Sequence, residues 1–231
     1  MADKVFLITG ASSGIGAATA QAAAQAGYRL VLAARSGDRL NALAESCGGP
    51  DVALPVVTDV TSAQDNERMA AAALERFGRI DVVFANAGFG ARRGFAKDEG
   101  ESDEHWREMV LTNVLGCAYT IRSTLAAVKE SRGHVLLTGS VAGRVAIPGS
   151  LYSSTKWAVT GMCQSLRGEL EGTGVRVTLI EPGMVDTPFF DNRPQGALEA
   201  QDIANAVMYA VSQPPHVDVS ELLVRPVLQA M

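Results

Sequence analysis

Thr9-Gly10-Ala11-Ser12-Ser13-Gly14-Ile15-Gly16 follows directly on the apolar run at residues 5–8 and leads into an alanine-rich stretch. An apolar run, a glycine-rich turn and a helical pattern in succession describe a strand that turns sharply into a helix. Such a turn suits a phosphate, because a helix N-terminus offers free N–H groups and the positive end of its dipole. A side chain at Gly10, Gly14 or Gly16 would obstruct either the turn or the approach of a ligand to the backbone. A loose glycine pattern is more simply a turn without a ligand. Here its place, directly after a strand and opening a helix, favours nucleotide binding.

Outward from this turn, short apolar runs recur at residues 30–33, 52–57, 80–85, 135–137 and 175–180, separated by segments with helical spacing. Runs without polar alternation suit strands buried on both faces, as a parallel sheet demands. The expectation is a single-domain α/β chain over residues 1–231: a Rossmann-type, doubly wound parallel sheet of six strands with helices on both faces. A late run at 221–227 would supply a seventh strand. In open sheets of this kind ligands bind beyond the carboxyl ends of the strands, so the residues just after each apolar run are the ones to read.

Composition narrows the partners. With 47% hydrophobic and 19% charged residues, the 231-residue chain can fill a sizeable core. A net charge of -5 and no basic run longer than two argue against nucleic acid or an anionic membrane as the main partner. Cys47, Cys117 and Cys163 are odd in number, far apart and beside no histidine, so neither a disulfide framework nor a metal site is expected. They read as small core residues in a cytoplasmic protein. No run of apolar residues is long enough to span a membrane, and the run after Met1-Ala2-Asp3-Lys4 is too short for a signal peptide.

Further marks sit at the later strand ends. Asn86-Ala87-Gly88 follows the fourth run, and Asn113 lies in Thr112-Asn113-Val114 on the long middle helix. Ser140 follows the fifth run, Tyr152-Ser153-Ser154-Thr155-Lys156 comes twelve residues later, and Pro182-Gly183-Met184-Val185-Asp186-Thr187 follows the sixth. Together with the G-x-x-x-G-x-G spacing, these six marks, in order across nearly the whole chain, resemble the short-chain dehydrogenase/reductase family. One departure is Ala85 where the family often has a second asparagine; Asn86 is retained.

The resemblance implies a bound nicotinamide dinucleotide. It places Gly10, Ser12, Ser13, Gly14, Ile15 and Gly16 at the pyrophosphate, Asp59 at the adenine with Val60 packing beside it, and Asn86, Ala87 and Gly88 below the cofactor. Pro182, Gly183, Val185 and Thr187 match positions that hold the carboxamide end. The second strand ends in Ala34-Arg35, where an NAD-specific site would carry a carboxylate for the ribose hydroxyls. A guanidinium there can bind a 2′-phosphate, so Arg35 points to NADP(H). The plainer reading of Arg35 is a surface residue opening the next helix, as for Arg39.

Tyr152 and Lys156, four apart, stack on one helix face. A neighbouring ammonium favours the phenolate, lowering a phenol pKa that is ordinarily about 10. Ser140 sits where a strand-end hydroxyl can meet a carbonyl. By resemblance, Tyr152 is the general acid/base, Ser140 steadies the substrate oxygen, and Lys156 holds the nicotinamide ribose. Asn113 completes a proton relay through a water on its backbone carbonyl; plain packing is its alternative. Residues 187–200 would form a short lid, in which Arg193 is the candidate to bind a substrate carboxylate; a solvated arginine is the alternative.

The reaction expected is hydride exchange between NADP(H) and a small secondary alcohol or ketone. The chain looks most like the subgroup that oxidises serine and other 3-hydroxy acids. A broad carbonyl reductase and a non-catalytic NADP-binding regulator are the alternatives. Arg92 and Arg93 are weaker candidates for the substrate carboxylate, with a loop charge pair as the favoured reading, and Arg144 reads as support for its loop. His105, His134 and His216 read as structural or surface residues, and Trp106, Met109, Val110, Trp157 and Met162 as core. Relatives pair the helices that carry these last residues, which implies a homodimer or homotetramer.

Overall fold

The computed structural model describes residues 4–96, 98–190 and 195–229. In chain order the strands are β1 (Val5–Thr9), β2 (Arg29–Ala34), β3 (Ala53–Val57), β4 (Val82–Ala85), β5 (His134–Thr138), β6 (Arg176–Pro182), β7 (Val185–Asp186), β8 (Leu198–Glu199) and β9 (Glu221–Val224). Seven of them form one parallel sheet in the order β3-β2-β1-β4-β5-β6-β9, while β7 and β8 pair by themselves. All six expected strands are present, and the late run supplies the seventh, as Glu221–Val224.

The alternation along β1 shows how the sheet is filled. Phe6 and Ile8 enter one core with Leu30, Leu32, Leu40 and Val207, and Val5 and Leu7 enter the other with Met69, Val135, Leu137 and Val159. The first core is covered by α1 (Gly14–Gln25), α2 (Gly37–Ser46) and α7 (Ala200–Ser212). The second is covered by α3 (Ala63–Phe77), α5 (Cys117–Ser131) and α6 (Leu151–Glu169). The alanines of α1 bring it close to the sheet, with Ala20 and Ala23 fully buried.

The long middle helix is interrupted where Asn113 lies. Helix α4 (Asp103–Val110) runs into a π-helical turn, Leu111–Gly116, before α5 begins. A π turn widens the helix by one residue and is a frequent mark of a functional position. Met109 is fully buried as expected, whereas Val110 is exposed and Trp157, on α6, is 48% exposed. Their helical spacing belongs to an outward face, not to the core. All three cysteines are buried and free. Among the described residues no helix is long and apolar enough to cross a membrane.

His134 opens β5 and is 1% exposed. Thr178 Oγ1 donates to Val219 O at 2.6 Å, so it accepts from His134, whose Nε2 carries the proton at 2.7 Å. Nδ1 has no partner among the described residues. Burial, assisted by the Arg176 charge, pushes the imidazole pKa down to about 3. The unfolded chain, with an ordinary histidine near 6.5, therefore binds one more proton than the fold between those two values, and stability falls as pH drops through that window. A thermal unfolding series from about pH 7 to about pH 5 should show His134→Gln losing less stability on acidification than the parent, by up to ~1.4 kcal/mol per pH unit. Parallel curves would contradict this.

Candidate active site

The order in which strands are added to the sheet reverses between β1 and β4, since β2 and β3 extend it to one side and β5, β6 and β9 to the other. Connections diverge at such a point and leave a crevice beyond the carboxyl ends. A cleft of about 740 Å³ opens there, running from Arg35 and Arg39 at one end to Tyr152 and Phe189 at the other.

The glycine turn forms its floor. Gly10 has φ 67, a left-handed conformation, and a Cβ there would lie 2.9 Å from Ala87 Cα. Gly16 does not line the cleft. A Cβ on it would come within 2.3 Å of Gly10 O and 2.9 Å of Asn86 Nδ2, so its glycine lets α1 sit directly on the ends of β1 and β4. Gly10, Ser12, Ser13, Gly14 and Ile15 all face the cleft. The side chains of Ser62, Ser102 and Ser150 cap α3, α4 and α6, but Ser13 makes no such bond and the first turn of α1 holds no acid. The leading N–H groups of α1 are thus left to a ligand, and with the elongated cleft this fits the dinucleotide that the glycine motif implies.

At the far end, Arg35 is exposed on the cleft wall with Ser36 and Arg39. Arg39 reads from sequence as plain surface; one helical turn from Arg35, it shares that wall. Asp59 Oδ1 accepts from Thr61 N at 2.9 Å and Thr61 Oγ1 at 2.8 Å, and Ser62 is the cap of α3. Asp59 is therefore held facing the cleft beside the buried Val60.

The reacting end is built on a seam of hydrogen bonds across three strand ends. Asn86 Nδ2 donates to Thr9 O at 3.0 Å, Thr138 Oγ1 donates to Asn86 Oδ1 at 3.1 Å, and Lys156 Nζ donates to Thr138 O at 2.7 Å. Lys156 is 4% exposed, and its ammonium lies 5.7 Å from the Tyr152 ring centre. Burial pushes its pKa down to about 8, with the neighbouring Cys117 acting in the opposite sense. Burial also pushes Tyr152 up to about 12, against a smaller lowering by its hydrogen bond to Ser140. This differs from the expectation that Lys156 draws the phenol down: burial dominates at Tyr152, the lowering comes from Ser140, and the phenol stays protonated through the neutral range. Ser140 Oγ also lies 3.5 Å from Pro182 O and accepts from Ala142 N at 3.1 Å.

Asn113 does not line the cleft. Its Nδ2 donates to Phe89 O at 2.9 Å and to Thr155 Oγ1 at 3.1 Å, and its Oδ1 accepts from Phe89 N at 3.0 Å. The side chain braces the segment after Asn86-Ala87-Gly88 against α6, just behind Tyr152 and Lys156. Ala87 and Gly88 line the cleft, as do Pro182, Gly183, Val185 and Thr187. Arg193 lies outside the described residues.

Further features of this end go beyond what spacing shows. His105 lines the cleft, its Nε2 2.7 Å from Gly90 O and its ring against Phe89. Arg93 faces the cleft, whereas Arg92 pairs with Glu101 at 3.3 Å. Phe189 stacks edge-on to Tyr152 and Phe190, with centroids 5.3 and 5.0 Å apart. Gln229, near the end of the chain, reaches back so that its Oε1 accepts from Met184 N at 2.8 Å. The apolar signal of Phe189 and Phe190 was present in the sequence; the return of Gln229 depends on the path of the chain after β9.

A family model described as short chain dehydrogenase matches residues 4–197. An oxidoreductase of Staphylococcus epidermidis, described as uncharacterized, is 40% identical over 230 residues, covering 97% of this chain and 98% of that protein. Among solved structures, an alcohol dehydrogenase from the archaeon Thermococcus sibiricus complexed with 5-hydroxy-NADP is 37% identical with a TM-score of 0.90, covering 99% of this chain and 98% of its own. A serine dehydrogenase complexed with NADP+ is 30% identical with a TM-score of 0.89 (98% and 96% covered). A 3-ketoacyl-(acyl-carrier-protein) reductase from Brucella melitensis complexed with NADH is 29% identical with a TM-score of 0.88 (98% of each).

The bracing by Asn113 has a measurable consequence. Asn113→Ala leaves the partly buried Phe89 N–H and C=O without their side-chain partner, and losing a partner of this kind costs ~1–3 kcal/mol. Chemical denaturation should show a drop of that size, whereas a change below ~0.5 kcal/mol would mean that Phe89 finds other partners.

Proposed function

The chain belongs to the short-chain dehydrogenase family of oxidoreductases, and on that premise we propose that it interconverts a small secondary alcohol and its ketone with NADP(H), Tyr152 exchanging the proton. The observation that carries this reading is the convergence of Ser140, Tyr152 and Lys156 at one end of a cleft whose other end holds Arg35 and Arg39. When bound, the dinucleotide supplies or accepts the hydride. Gly10, Ser12, Ser13, Gly14 and Ile15 would hold its pyrophosphate at the start of α1, with Gly16 allowing the close approach. Arg35, with Arg39, would take the 2′-phosphate, Asp59 and Val60 the adenine, and Asn86, Ala87, Gly88, Pro182, Gly183, Val185 and Thr187 the nicotinamide half. NADH in one relative keeps NAD(H) as the competing cofactor.

In the reducing direction Tyr152 gives its hydroxyl proton to the developing alkoxide, and Ser140 donates a hydrogen bond to the same oxygen. Oxidation runs in reverse, with the phenolate taking the proton. Lys156, held by Thr138 O, keeps two N–H groups for the ribose hydroxyls and a positive charge near the phenol. Asn113 would pass the proton onward through a water on its backbone carbonyl.

Residues 187–200 would act as the lid, with Phe189 and Phe190 as its described apolar part. A 3-hydroxy acid such as serine is the finer proposal for substrate. It rests on the likeness to serine dehydrogenase and on a cation for the carboxylate, Arg193 or the cleft-facing Arg93. Homodimers or homotetramers would form through the helical face that leaves Val110, Leu115 and Trp157 exposed.

Three measurements test this. Because burial raises Tyr152 to about 12, the proton donor stays loaded through neutrality, so ketone reduction should vary little from about pH 6 to about pH 8 while alcohol oxidation climbs with pH. Tyr152→Phe should remove ~10²-fold or more of turnover in both directions with the dinucleotide Kd unchanged; near-normal turnover would refute the assignment. Removing both Arg35 and Arg39 as alanines should weaken NADPH binding ~10-fold or more and leave NADH binding within ~2-fold. Equal loss for both cofactors would overturn the NADP(H) reading.

A further inference from the structure

The carboxylate of Glu181, at the end of β6, is completely buried. Arg144 grips it with both arms of its guanidinium, Nε to Oε1 at 2.6 Å and Nη2 to Oε2 at 2.5 Å, and the same Nη2 reaches Glu221 at the start of β9. Arg144 immediately follows the 3-10 turn Val141–Gly143, for which Ser140 is the cap. Glu181 immediately precedes Pro182, whose carbonyl lies 3.5 Å from the Ser140 hydroxyl. The turn is tied on its other flank by Ser153, which donates to Ala142 O at 2.6 Å and to Val145 O at 3.1 Å. Behind it, Gly143 lies so near α6 that a Cβ would come within 2.8 Å of Lys156 O.

We propose that Arg144 is a positioning residue for Ser140: its forked grip on Glu181 and Glu221 fixes the serine-bearing turn to the ends of β6 and β9. The inference rests on the reading of Ser140 as the hydroxyl that meets the substrate oxygen. A buried carboxylate needs a partner, but neutralising it would not require this geometry, since an apolar pair of similar volume fills such a space as well or better. A planar, bidentate guanidinium adds direction. It closes the loop 140–144 against the two residues, Glu181 and Pro182, that set where the serine hydroxyl points. Without the fork the turn keeps its Ser153 anchor on α6 and the bond from Gly139 N to Ile180 O at 2.7 Å, but its far end loses the tie to β6 and β9, so Ser140 moves relative to Tyr152 while the dinucleotide end of the cleft is untouched.

The test compares Arg144→Met, Arg144→Lys, a double variant of Arg144→Met with Glu181→Leu, and Ser140→Ala. It reads kcat, KM, NADPH Kd by fluorescence, melting temperature, and amide hydrogen exchange of residues 139–145. For Arg144→Met the expected result is a kcat lower by ~10²-fold, as small misplacements of reacting groups produce. NADPH Kd should stay within ~2-fold, with faster exchange confined to the turn. Arg144→Lys should recover part of kcat, and the double variant should regain melting temperature without regaining kcat. The proposal is overturned if Arg144→Met keeps kcat within ~2-fold, or if the double variant restores kcat together with stability. Should Arg144→Met fail to fold, the lysine and double variants decide by the same criteria. Unimpaired turnover in Ser140→Ala would instead remove the reading of Ser140 itself, whatever Arg144 does.

Discussion

The closeness of α1 to the ends of β1 and β4 is the constraint on which the rest of this structure depends. A Cβ at Gly16 would occupy the space of Gly10 O, and one at Gly10 the space of Ala87. With those positions bare, the first N–H groups of α1 stand over the reversal point of the sheet, where no side chain claims them. Asn86 then serves two purposes at once. Its amide closes the gap between β1 and β4 by bonding Thr9 O, and its oxygen receives Thr138 from β5. One helix position and one asparagine thus set the spacing of three strand ends, and the cleft takes its floor from that spacing.

Lys156 inherits its place from the same seam. Its ammonium is almost wholly buried and is held by a backbone carbonyl, not by a carboxylate. A carboxylate partner would have satisfied the charge more completely and fixed the ammonium as one half of an ion pair. A carbonyl leaves the charge uncompensated, which burial registers as a pKa lowered to about 8. The charge is then available to whatever polar group enters the cleft. Tyr152 meets the same burial with the opposite consequence, since burial disfavours the phenolate. Desolvation by itself therefore separates the pair into a proton-bearing acid and a cation that is held less firmly than usual.

The sheet was legible in the sequence because parallel strands are buried on both faces and read as unbroken apolar runs. The glycine turn, Asn86, Ser140 and Tyr152 to Lys156 were legible because each must stand at a strand end or one helical turn from its partner. What was not legible depends on tertiary approach. Asn113 reads as a poor helix residue, and only the fold shows that its amide is spent on Phe89 and Thr155. Trp157 has the size and spacing of a core residue, yet lies on the outward side of α6. Arg39 looks like any surface arginine until α2 brings it to the wall that holds Arg35. The rise of the Tyr152 pKa was missed for the same reason: spacing reports the nearest charge and says nothing about the water that folding removes.

Net charge and local charge also part company. The chain carries -5 overall, yet the cleft is lined by Arg35, Arg39, Arg93 and Lys156 against Asp59 and Glu108. Asp59 is already engaged by the Thr61 hydroxyl and N–H, which spreads part of its charge over local donors. Long-range attraction of an anion by the whole molecule is therefore weak, while the field inside the cleft is positive, and with walls of low polarity that field is screened less than on the open surface. Ala34 sharpens the effect. It is buried at the end of β2, directly before Arg35, and a carboxylate at this position would stand close to both arginines and cancel them. A small apolar residue adds no carboxylate beside the two guanidiniums, so the charge of this wall depends on what β2 omits as much as on what α2 brings.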